Sequence, residues 1–258
     1  MKVLVACEYS GTVRDAFIRQ GHDAVSCDLL PTERPGPHHQ GDVLEILEDG
    51  WDMMIAHPPC TYLCSSGLHW NKRTPGRDEK THEAMLFVLN LMGERFIAHG
   101  IPKIALENPI GRISTAYRKP DQVIQPWQFG HPESKATCLW LKGLQVLRPE
   151  KIVDPPRWRC KCGATFASDL GKYGCPSCCG DRGAAVPLWE NMTPSGQNKL
   201  GPSPDRWKIR SATYQGIADA MASQWGKGAG WDARGRSCSR LKWSVPCCLV
   251  PRRRRGGW

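Results

Sequence analysis

Short apolar runs, each followed by an acidic or turn sequence, are the feature that most restricts the fold of this chain. We predict strands at 2–7, 22–28, 51–56, 103–106 and 138–141, helices at 12–20, 44–47, 81–99 and 211–225, and loops at 31–41, 65–80 and 187–210. Continuous apolar runs of this length are typical of strands buried on both faces of a parallel sheet. Strands that alternate with helices indicate a doubly wound α/β sheet, which binds its ligands beyond the carboxyl ends of the strands.

Two of these strand ends carry groups suited to catalysis. Pro58-Pro59-Cys60 follows the third strand, and its prolines would hold a thiol rigidly at the sheet edge. Such a thiol is a nucleophile if its pKa is lowered. Glu107 and Asn108 follow the fourth strand, and we expect partial burial to raise the pKa of Glu107 so that it donates a proton near neutral pH. Each residue alone is more often structural, but the two together predict an active site.

Acids at successive strand ends predict a pocket for an adenosine-like ligand. Glu8, Asp28 and Asp42 follow one another in this way, and an acid after the second strand suits a ribose diol. A phosphate loop is missing, because Glu8-Tyr9-Ser10-Gly11 has one glycine and an acid where a pyrophosphate needs N–H donors. This disfavours NAD and ATP and favours a cofactor without phosphate.

The thirteen cysteines fall into separate groups, which is unlike the disulfide framework of a small secreted domain. Cys160-Lys161-Cys162 and Cys175-Pro176-Ser177-Cys178 form two pairs around a short glycine-containing segment, the pattern of a zinc ribbon. We predict structural zinc bound by Cys160, Cys162, Cys175 and Cys178, with Cys179 as the alternative to Cys178. A reduced cysteine-rich loop is the other interpretation.

The net charge of +10 is weak support for a nucleic-acid partner, because it is concentrated at the C-terminus. Residues 227–258 hold nine Lys or Arg and one Asp, so 9 − 1 = +8, and only +2 remains for the other 226 residues. This tail lacks the apolar pattern of a core. We expect it to be disordered or non-native, and a basic arm for nucleic acid is the alternative.

In order along the chain, these residues resemble the motifs of the DNA cytosine C5-methyltransferases, and especially their short phage-encoded members. The resemblance covers about residues 2–145 and, more weakly, 210–226. It implies a Rossmann-like sheet that binds S-adenosylmethionine through Glu8, Tyr9, Ser10, Gly11, Asp28, Leu29, Asp42, Val43 and Pro58. It also implies that Cys60 attacks cytosine C6, that Glu107 engages N3, and that substrate contacts come from Pro59, Asn108, Ser65, Ser66, Arg112 and Lys135.

The chain departs from the family pattern in three places. Its first turn has one glycine instead of two or three, and Thr61 stands where the family has Gln. The family's Gln-x-Arg-x-Arg segment corresponds to residues 133–137, which contain no arginine, so that Lys135 or Arg112 would have to substitute.

The implied attack on cytosine requires that the base be flipped out of the duplex, since the ring of a paired base is inaccessible. We expect the 61–80 loop to close over it, with Lys72, Arg73 and Arg77 facing phosphates.

The domain prediction has four parts: a catalytic domain at 1–150, a zinc-ribbon insert for target recognition at 151–186, a return segment with a C-terminal helix at 187–226, and the basic tail at 227–258. Within the insert, DNA contacts are expected from Arg157, Arg159, Lys161, Lys172 and Arg182. The chain has no run of about 20 apolar residues and no signal peptide, so we expect a monomer that binds DNA, avoids membranes and works in the cytoplasm, the host's if a phage encodes it.

Three alternatives are weighed against this function. Amino-methyltransferases place an aromatic residue after the two prolines, preceded by Asp, Asn or Ser, whereas here His57 precedes them and Cys60 follows. A related pyrimidine-modifying enzyme with another donor or an RNA substrate stays open. A non-catalytic zinc-ribbon DNA-binding protein would not need Cys60 and Glu107 at strand ends.

Overall fold

The computed structural model of the protein describes residues 1–94, 99–167, 175, 177–178, 185–195 and 197–227. Residues Met1–Gly226 belong to one compact unit. The basic tail beyond Lys227 lies outside the described residues, as do Cys179, Lys172 and Arg182 of the predicted insert. None of the described helices combines the length and the apolar character that crossing a membrane requires.

A seven-stranded sheet with the order β3-β2-β1-β4-β5-β7-β6 forms the centre of the unit. Its strands are β1 (Lys2–Ala6), β2 (Asp23–Asp28), β3 (His38–Gln40), β4 (Met53–Ala56), β5 (Ile104–Pro109), β6 (Gln122–Ile124) and β7 (Thr137–Lys142). Every pair from β3 to β5 is parallel, and β7 runs antiparallel to both β5 and β6. The strand order reverses between β1 and β4, where such sheets bind ligands. The predicted α/β class with a largely parallel sheet is confirmed.

The helices are α1 (Thr12–Arg19), α2 (Ser65–Leu68), α3 (Arg77–Leu91), α4 (Ile113–Ala116), α5 (Arg206–Ser211) and α6 (Gln215–Trp225). Several sequence predictions were wrong in detail. The helix expected at 44–47 is a single 3-10 turn at Val43–Glu45, the helix expected at 211–225 begins at Gln215, and the loop expected at 65–80 contains α2 and the start of α3. The helix expected at 81–99 begins four residues earlier and ends at Leu91, because Gly93 adopts a left-handed φ of 70°. The loop expected at 31–41 contains β3, which pairs with β2 at the sheet edge. The loop expected at 187–210 contains most of α5, none of whose residues is buried.

Both faces of the sheet are covered, which explains the continuous apolar runs. In β1, Val3 and Val5 belong to one core cluster, together with α1 and α6, whereas Leu4 and Ala6 belong to the cluster on the opposite face. Each additional buried Val or Leu contributes about 1.5–3 kcal/mol. Burial of both faces therefore fixes the carboxyl edges of β1, β4 and β5 relative to one another.

A smaller sheet, with the order β10-β8-β9, is antiparallel throughout and consists of β8 (Arg157–Cys160), β9 (Thr165–Ala167) and β10 (Ala185–Leu188). Its buried cluster among the described residues contains only Cys160, Phe166 and Cys175. The segment after β10 returns to the large sheet, where Trp189 stacks on Trp127 at 5.7 Å between ring centroids. We call residues 157–188 the ribbon.

Candidate active site

A cavity of about 100 Å³ lies at the carboxyl ends of β1, β4 and β5, with segment 210–213 as its outer wall. Nine of the residues predicted from the sequence line it: Glu8, Tyr9, Ser10, Pro58, Pro59, Cys60, Glu107, Asn108 and Lys135. The predicted nucleophile and the predicted acid thus meet in one cavity, although 46 residues separate them in the chain. Adjacent parallel strands bring their ends together in this way.

The loop that carries Cys60 is held by the strand that carries Glu107. The buried Asn108 side chain donates a hydrogen bond to the carbonyl of Pro58 at 2.8 Å, and Arg112 N donates to Leu63 O at 2.7 Å. Gly111 permits this approach, because a Cβ there would lie 1.9 Å from Leu63 O. The Cys60 side chain is exposed at the cavity mouth, as a nucleophile requires.

Glu107 is paired with His57, to which no role was assigned from the sequence. His57 Nδ1 lies 3.0 Å from Glu107 Oε2, and the two side chains are 9% and 16% exposed. Burial alone raises the pKa of Glu107, but the hydrogen bond from His57, the charge of His57 and the charge of Lys135 together bring it below its usual value. The sequence-based expectation of a raised pKa was therefore wrong, since it considered burial without these partners. Glu107 is a carboxylate at neutral pH, and His57 Nδ1 carries the hydrogen.

Two buried polar atoms in the cavity lining have no hydrogen-bond partner in the described part of the chain. They are His57 Nε2 and Asn108 Oδ1. An unsatisfied buried polar atom costs about 1–3 kcal/mol, so native proteins retain such atoms mainly where a ligand or water completes them. The cavity therefore offers a ligand one carboxylate, one amide oxygen and one imidazole nitrogen.

A second thiol accompanies Cys60. The chain turns helically after Cys60, with Cys64 N donating to Cys60 O at 2.9 Å, so that both thiols lie on one side of the turn. Cys64 Sγ lies 3.3 Å from Ser66 Oγ. Interaction with Cys60, and then with Ser66, lowers the pKa of Cys64 despite its partial burial, while interaction with Cys64, and then burial, raises the pKa of Cys60.

Two cations balance the anions of the site. Lys135 lines the cavity and donates from Nζ to Ala212 O at 3.3 Å, which links it to the segment after α5. Arg210 lines the cavity from α5, and its charge makes a small contribution that opposes the rise in the pKa of Cys60 and adds to the fall in the pKa of Cys64. None of the ion pairs within the described residues involves Arg210. The Arg210 side chain is exposed.

The first turn, between β1 and α1, cannot bind a phosphate. Glu8 accepts hydrogen bonds from Val13 N at 2.7 Å and Arg14 N at 3.2 Å, so that its carboxylate occupies the amino end of α1. Ser10 Oγ donates to the same carboxylate at 3.2 Å. A helix amino end is the usual phosphate site of nucleotide-binding sheets, and here an anion of the protein fills it. The first turn therefore disfavours the pyrophosphate of a dinucleotide and is compatible with a cofactor that carries no phosphate.

The remaining predicted cofactor residues lie along the adjoining edge of the sheet, outside the lining of this cavity. Asp28 and Asp42 are near enough to Cys7 to raise the pKa of its thiol, after the larger effect of burial. Asp42 Oδ1 accepts from Leu44 N and Asp28 Oδ1 from Leu30 N, both at 3.0 Å. Leu29 is 73% exposed, Val43 is buried, and Gly11 adopts a φ of 71° at the start of α1.

Three predicted substrate residues lie outside the cavity lining. Ser65 and Ser66 begin α2, and Ser66 contacts Cys64 instead of the cavity. Arg112 precedes α4 and holds the Cys60 loop through its backbone. Of the two residues expected to replace the family's arginines, the structure brings Lys135 into the cavity and leaves Arg112 outside it.

The four predicted zinc ligands are brought together in the ribbon. Their sulfur atoms all lie within 4.8 Å of one another, with Cys160 and Cys178 at 3.6 Å and Cys162 and Cys175 at 3.7 Å. A tetrahedral ZnS₄ centre with Zn–S bonds of ~2.3 Å requires sulfur atoms about 3.8 Å apart. The donor set and its spacing therefore fit one zinc ion.

Sequence reasoning missed Cys64, His57 and Arg210. The spacing of Cys60 and Cys64, one helical turn, was a usable signal. His57 was visible as the residue before the two prolines. Arg210 gave no local signal, because it reaches the cavity from a helix 150 residues away from Cys60 in the chain.

Comparison with known proteins gives a distant likeness of fold. No protein-family model matches the chain, and no curated protein matches it. Among the solved structures that resemble it is the Entamoeba histolytica methyltransferase EhMeth, with a TM-score of 0.40 and 14% sequence identity. The alignment covers 59% of this chain and 57% of that one, so the chain spans little more than half of that structure.

Proposed function

We propose that the protein is a DNA cytosine C5-methyltransferase with Cys60 as its nucleophile. The observation that carries this proposal is the meeting of Cys60, Glu107 and Asn108 in one cavity at the ends of β4 and β5. The cavity adjoins a sheet edge whose acids suit a cationic cofactor. The thiol can attack a pyrimidine ring, and the hydrogen-bonded carboxylate in the same cavity can orient that ring.

We assign a separate chemical role to each of these residues of the cavity. An ionised Glu107 accepts a hydrogen bond from the cytosine N4 amino group, which uracil lacks. Asn108 Oδ1 is a second acceptor at the same edge. The Cys60 thiolate adds to C6, and Lys135 and Arg210 stabilise the negative charge that develops on the ring. Glu107, held by its hydrogen bond with His57, would also engage N3 of the ring, as the resemblance implies.

S-adenosylmethionine would be held by Tyr9, Ser10, Asp28, Asp42 and the backbone of Pro58, and it supplies an electrophilic methyl group to C5. Asp28 and Asp42 face the region of Cys7 and suit the positive charge and the ribose diol of this cofactor. Glu8 contributes by excluding phosphate-bearing competitors from the first turn.

DNA contacts are proposed on two sides of the cavity. Lys72 and Arg73 are exposed in the segment after α2, where Arg73 lies over the ring of the 48% exposed Trp70. Arg77 instead donates to Thr61 O at 2.9 Å and shapes the Cys60 loop. In the ribbon, Arg157 and Lys161 are exposed, whereas Arg159 donates to Pro194 O at 3.0 Å. We propose that the ribbon reads the target sequence through Arg157 and Lys161.

The test is covalent trapping. The full-length protein is incubated with labelled S-adenosylmethionine and a long mixed-sequence duplex that contains 5-fluorocytosine, beside Cys60→Ala and Glu107→Gln variants. A stable protein–DNA adduct is expected for the wild type, none for Cys60→Ala, and adduct formation about 10²-fold slower or worse for Glu107→Gln. Thermal melting and zinc content serve as folding controls.

The other possible outcomes would each indicate a different function. An adduct that forms only with RNA, or a product mass other than that of a methyl group, indicates a related pyrimidine-modifying enzyme. DNA binding without an adduct or cofactor binding indicates a non-catalytic protein. Unchanged sequence preference after Arg157→Ala and Lys161→Ala, or after loss of zinc, would contradict recognition by the ribbon.

A further inference from the structure

Helix α5 presents charged and aromatic side chains beside the cavity and packs none of them into the core. None of its six residues is buried, and Trp207 and Ile209 are 50% and 59% exposed. Residues 197–213, which include α5, hold four Lys or Arg and one Asp, so 4 − 1 = +3. Since residues 1–226 together carry only +2, the other 209 of them carry 2 − 3 = −1. Helix α5 therefore lies in a cationic segment of a region that is otherwise close to neutral.

We propose that Arg206 and Arg210 form a phosphate-binding site for the DNA strand whose cytosine enters the cavity. This inference deepens the proposed function and rests on it for the identity of the ligand, DNA. Contact with phosphate can be measured without any methyl transfer, so the two proposals can fail separately. The sequence predicted a loop at this position and assigned no site residue to it.

Contacts with the first turn of the large sheet hold α5 against the cavity. Tyr9 OH lies 3.2 Å from Ser211 Oγ, and the ring of Tyr9 packs on that of Trp207 with the centroids 5.9 Å apart. Segment 210–213 is the outer wall of the cavity that Cys60 also lines. Because Cys60 is exposed at the cavity mouth, a strand that delivers a base to Cys60 passes close to this wall.

The two arginines form a cationic row that leads towards the cavity. Arg206 and Arg210 stand four residues apart, so they lie on the same face of α5, one turn from each other. Arg210 lines the cavity, whereas Arg206 lies outside the lining and is partly exposed. The row thus places one guanidinium group at the cavity, and the next starts about 6 Å further along the helix axis.

The like charges of this row favour a bound anion. None of the ion pairs within the part of the chain that the structure describes involves Arg206 or Arg210. Two cations four residues apart destabilise a helix, and a six-residue helix without a buried residue gains little from packing on the core. A phosphate between the two guanidinium groups relieves the repulsion and accepts paired hydrogen bonds from each of them.

A DNA backbone suits α5 better than an apolar partner does. The exposed Trp207 and Ile209 are two residues apart, so they extend from different sides of the helix and form no continuous apolar face. Arginine is well suited to phosphate, and most hydrogen bonds between proteins and DNA go to phosphates and sugars. We therefore assign the site to a phosphate beside the flipped nucleotide.

The first test measures DNA binding without reaction. Full-length wild type, Arg206→Gln and Lys208→Gln are titrated with a long mixed-sequence duplex, without cofactor, at several NaCl concentrations. Each phosphate contact contributes about −0.9 to the slope of log K against log[salt]. Arg206→Gln should therefore make the slope shallower by about 0.9 and weaken binding about fivefold near 0.15 M salt. A wild-type slope in Arg206→Gln would overturn the proposal.

Lys208→Gln is the matched control, because it removes the same charge from the same helix. Lys208 is two residues from both Arg206 and Arg210, so it extends from a different side of α5, and its Nζ lies 5.7 Å from the ring centroid of Trp207. This variant should keep the wild-type slope. An equal change of slope in both variants would mean that only the net charge matters, and the assigned site would be wrong. Thermal melting and zinc content check the fold of each variant.

The second test is the dependence of covalent trapping on the concentration of the 5-fluorocytosine duplex. Arg206 lies outside the cavity lining, so Arg206→Gln should raise the half-saturating DNA concentration about fivefold and leave the maximal trapping rate unchanged. A reduced maximal rate at an unchanged half-saturating concentration would contradict a phosphate contact. If the wild type forms no adduct, the proposed function fails, while the salt slopes still decide whether Arg206 binds phosphate. If the adduct forms and the slopes are equal, only this inference fails.

Discussion

The two sheets of this protein are stabilised by different means. The seven-stranded sheet buries apolar side chains on both faces, including Trp140, Leu4 and Ile104 with no exposed surface. Among its described residues, the ribbon has three short strands and a buried cluster of two cysteines and one phenylalanine. Apolar burial at ~25 cal/mol per Å² stabilises the first, whereas the apolar cluster among the described residues of the ribbon is far smaller. We therefore propose that the ribbon depends on a bound metal for its folding, whereas the site-bearing sheet does not.

Zinc removal should therefore unfold the ribbon and leave the large sheet folded, which is the largest effect that we predict. Structural zinc supplies about 10–16 kcal/mol of apparent binding free energy in small metal-folded units. Chelation at pH 7, or Cys162→Ser, should abolish hydrogen-exchange protection in β8–β10 and leave it unchanged in β1 and β4. Cys27→Ala, a cysteine deletion outside the cluster, should retain one zinc per chain. Protection that survives in β8–β10 without metal would refute the comparison.

The reverse perturbation is Trp140→Ala in β7. Trp140 is fully buried, and its Nε1 donates to Arg118 O at 2.8 Å. Its loss should cost about 4 kcal/mol, a decrease of roughly 8–16 °C in Tm for a chain of this size. Trp70→Ala, the same deletion at a 48% exposed position, should change Tm little. Zinc content should be normal in both, and coupled loss of zinc in Trp140→Ala would show that the regions do not fold independently.

Five strands of the large sheet, and the meeting of Cys60 with Glu107 at its edge, could be predicted because they depend on local patterns. The runs that became β1, β4 and β5 are apolar on both faces, so both their strand character and the meeting of Cys60 with Glu107 follow from the chain. The spacing of Cys160, Cys162 and Cys175 indicated their cluster, and it left Cys178 or Cys179 as the fourth member. Helix α5 could not be predicted, because it has no buried face and its position depends on contacts such as that between Tyr9 and Trp207.

The electrostatics of the site could not be predicted either. The pKa of Glu107 depends on His57 and Lys135, which come from two other segments of the chain. The burial of Glu107 could be foreseen from the strand pattern, but its partners His57 and Lys135 could not. The sign of the shift was therefore wrong for a physical reason, since a buried carboxyl with a hydrogen-bond donor behaves oppositely to one without.

A smaller effect concerns the junction between the two regions. Asn191, in the segment after the ribbon, donates to Ser134 O at 2.8 Å and accepts from Ser134 N at 3.2 Å, close to Lys135 of the cavity. Asn191→Ala leaves both backbone groups without this partner and should cost about 1–2 kcal/mol. Thermal melting should detect this loss with zinc retained. Asn198→Ala, which removes only an exposed bond to Leu200 N, is the matched control, and equal losses would show that the junction has no special role.

The smallest effect tests strain at the cofactor edge of the large sheet. Cys7 has a φ of 58°, a left-handed conformation that costs a residue with a Cβ about 1–2 kcal/mol. It stands in the turn where the resembled family has additional glycines, so Cys7→Gly should be more stable than Cys7→Ala by about 1 kcal/mol, or roughly 2–4 °C in Tm. In β2, where Ala24 is buried in an extended strand, Ala24→Gly should instead lower the Tm. If glycine instead of alanine changes the Tm in the same direction at both positions, the turn is not strained. Opposite directions would show strain at Cys7, beside the proposed cofactor site. The fold tolerates such strain because both faces of β1 are buried.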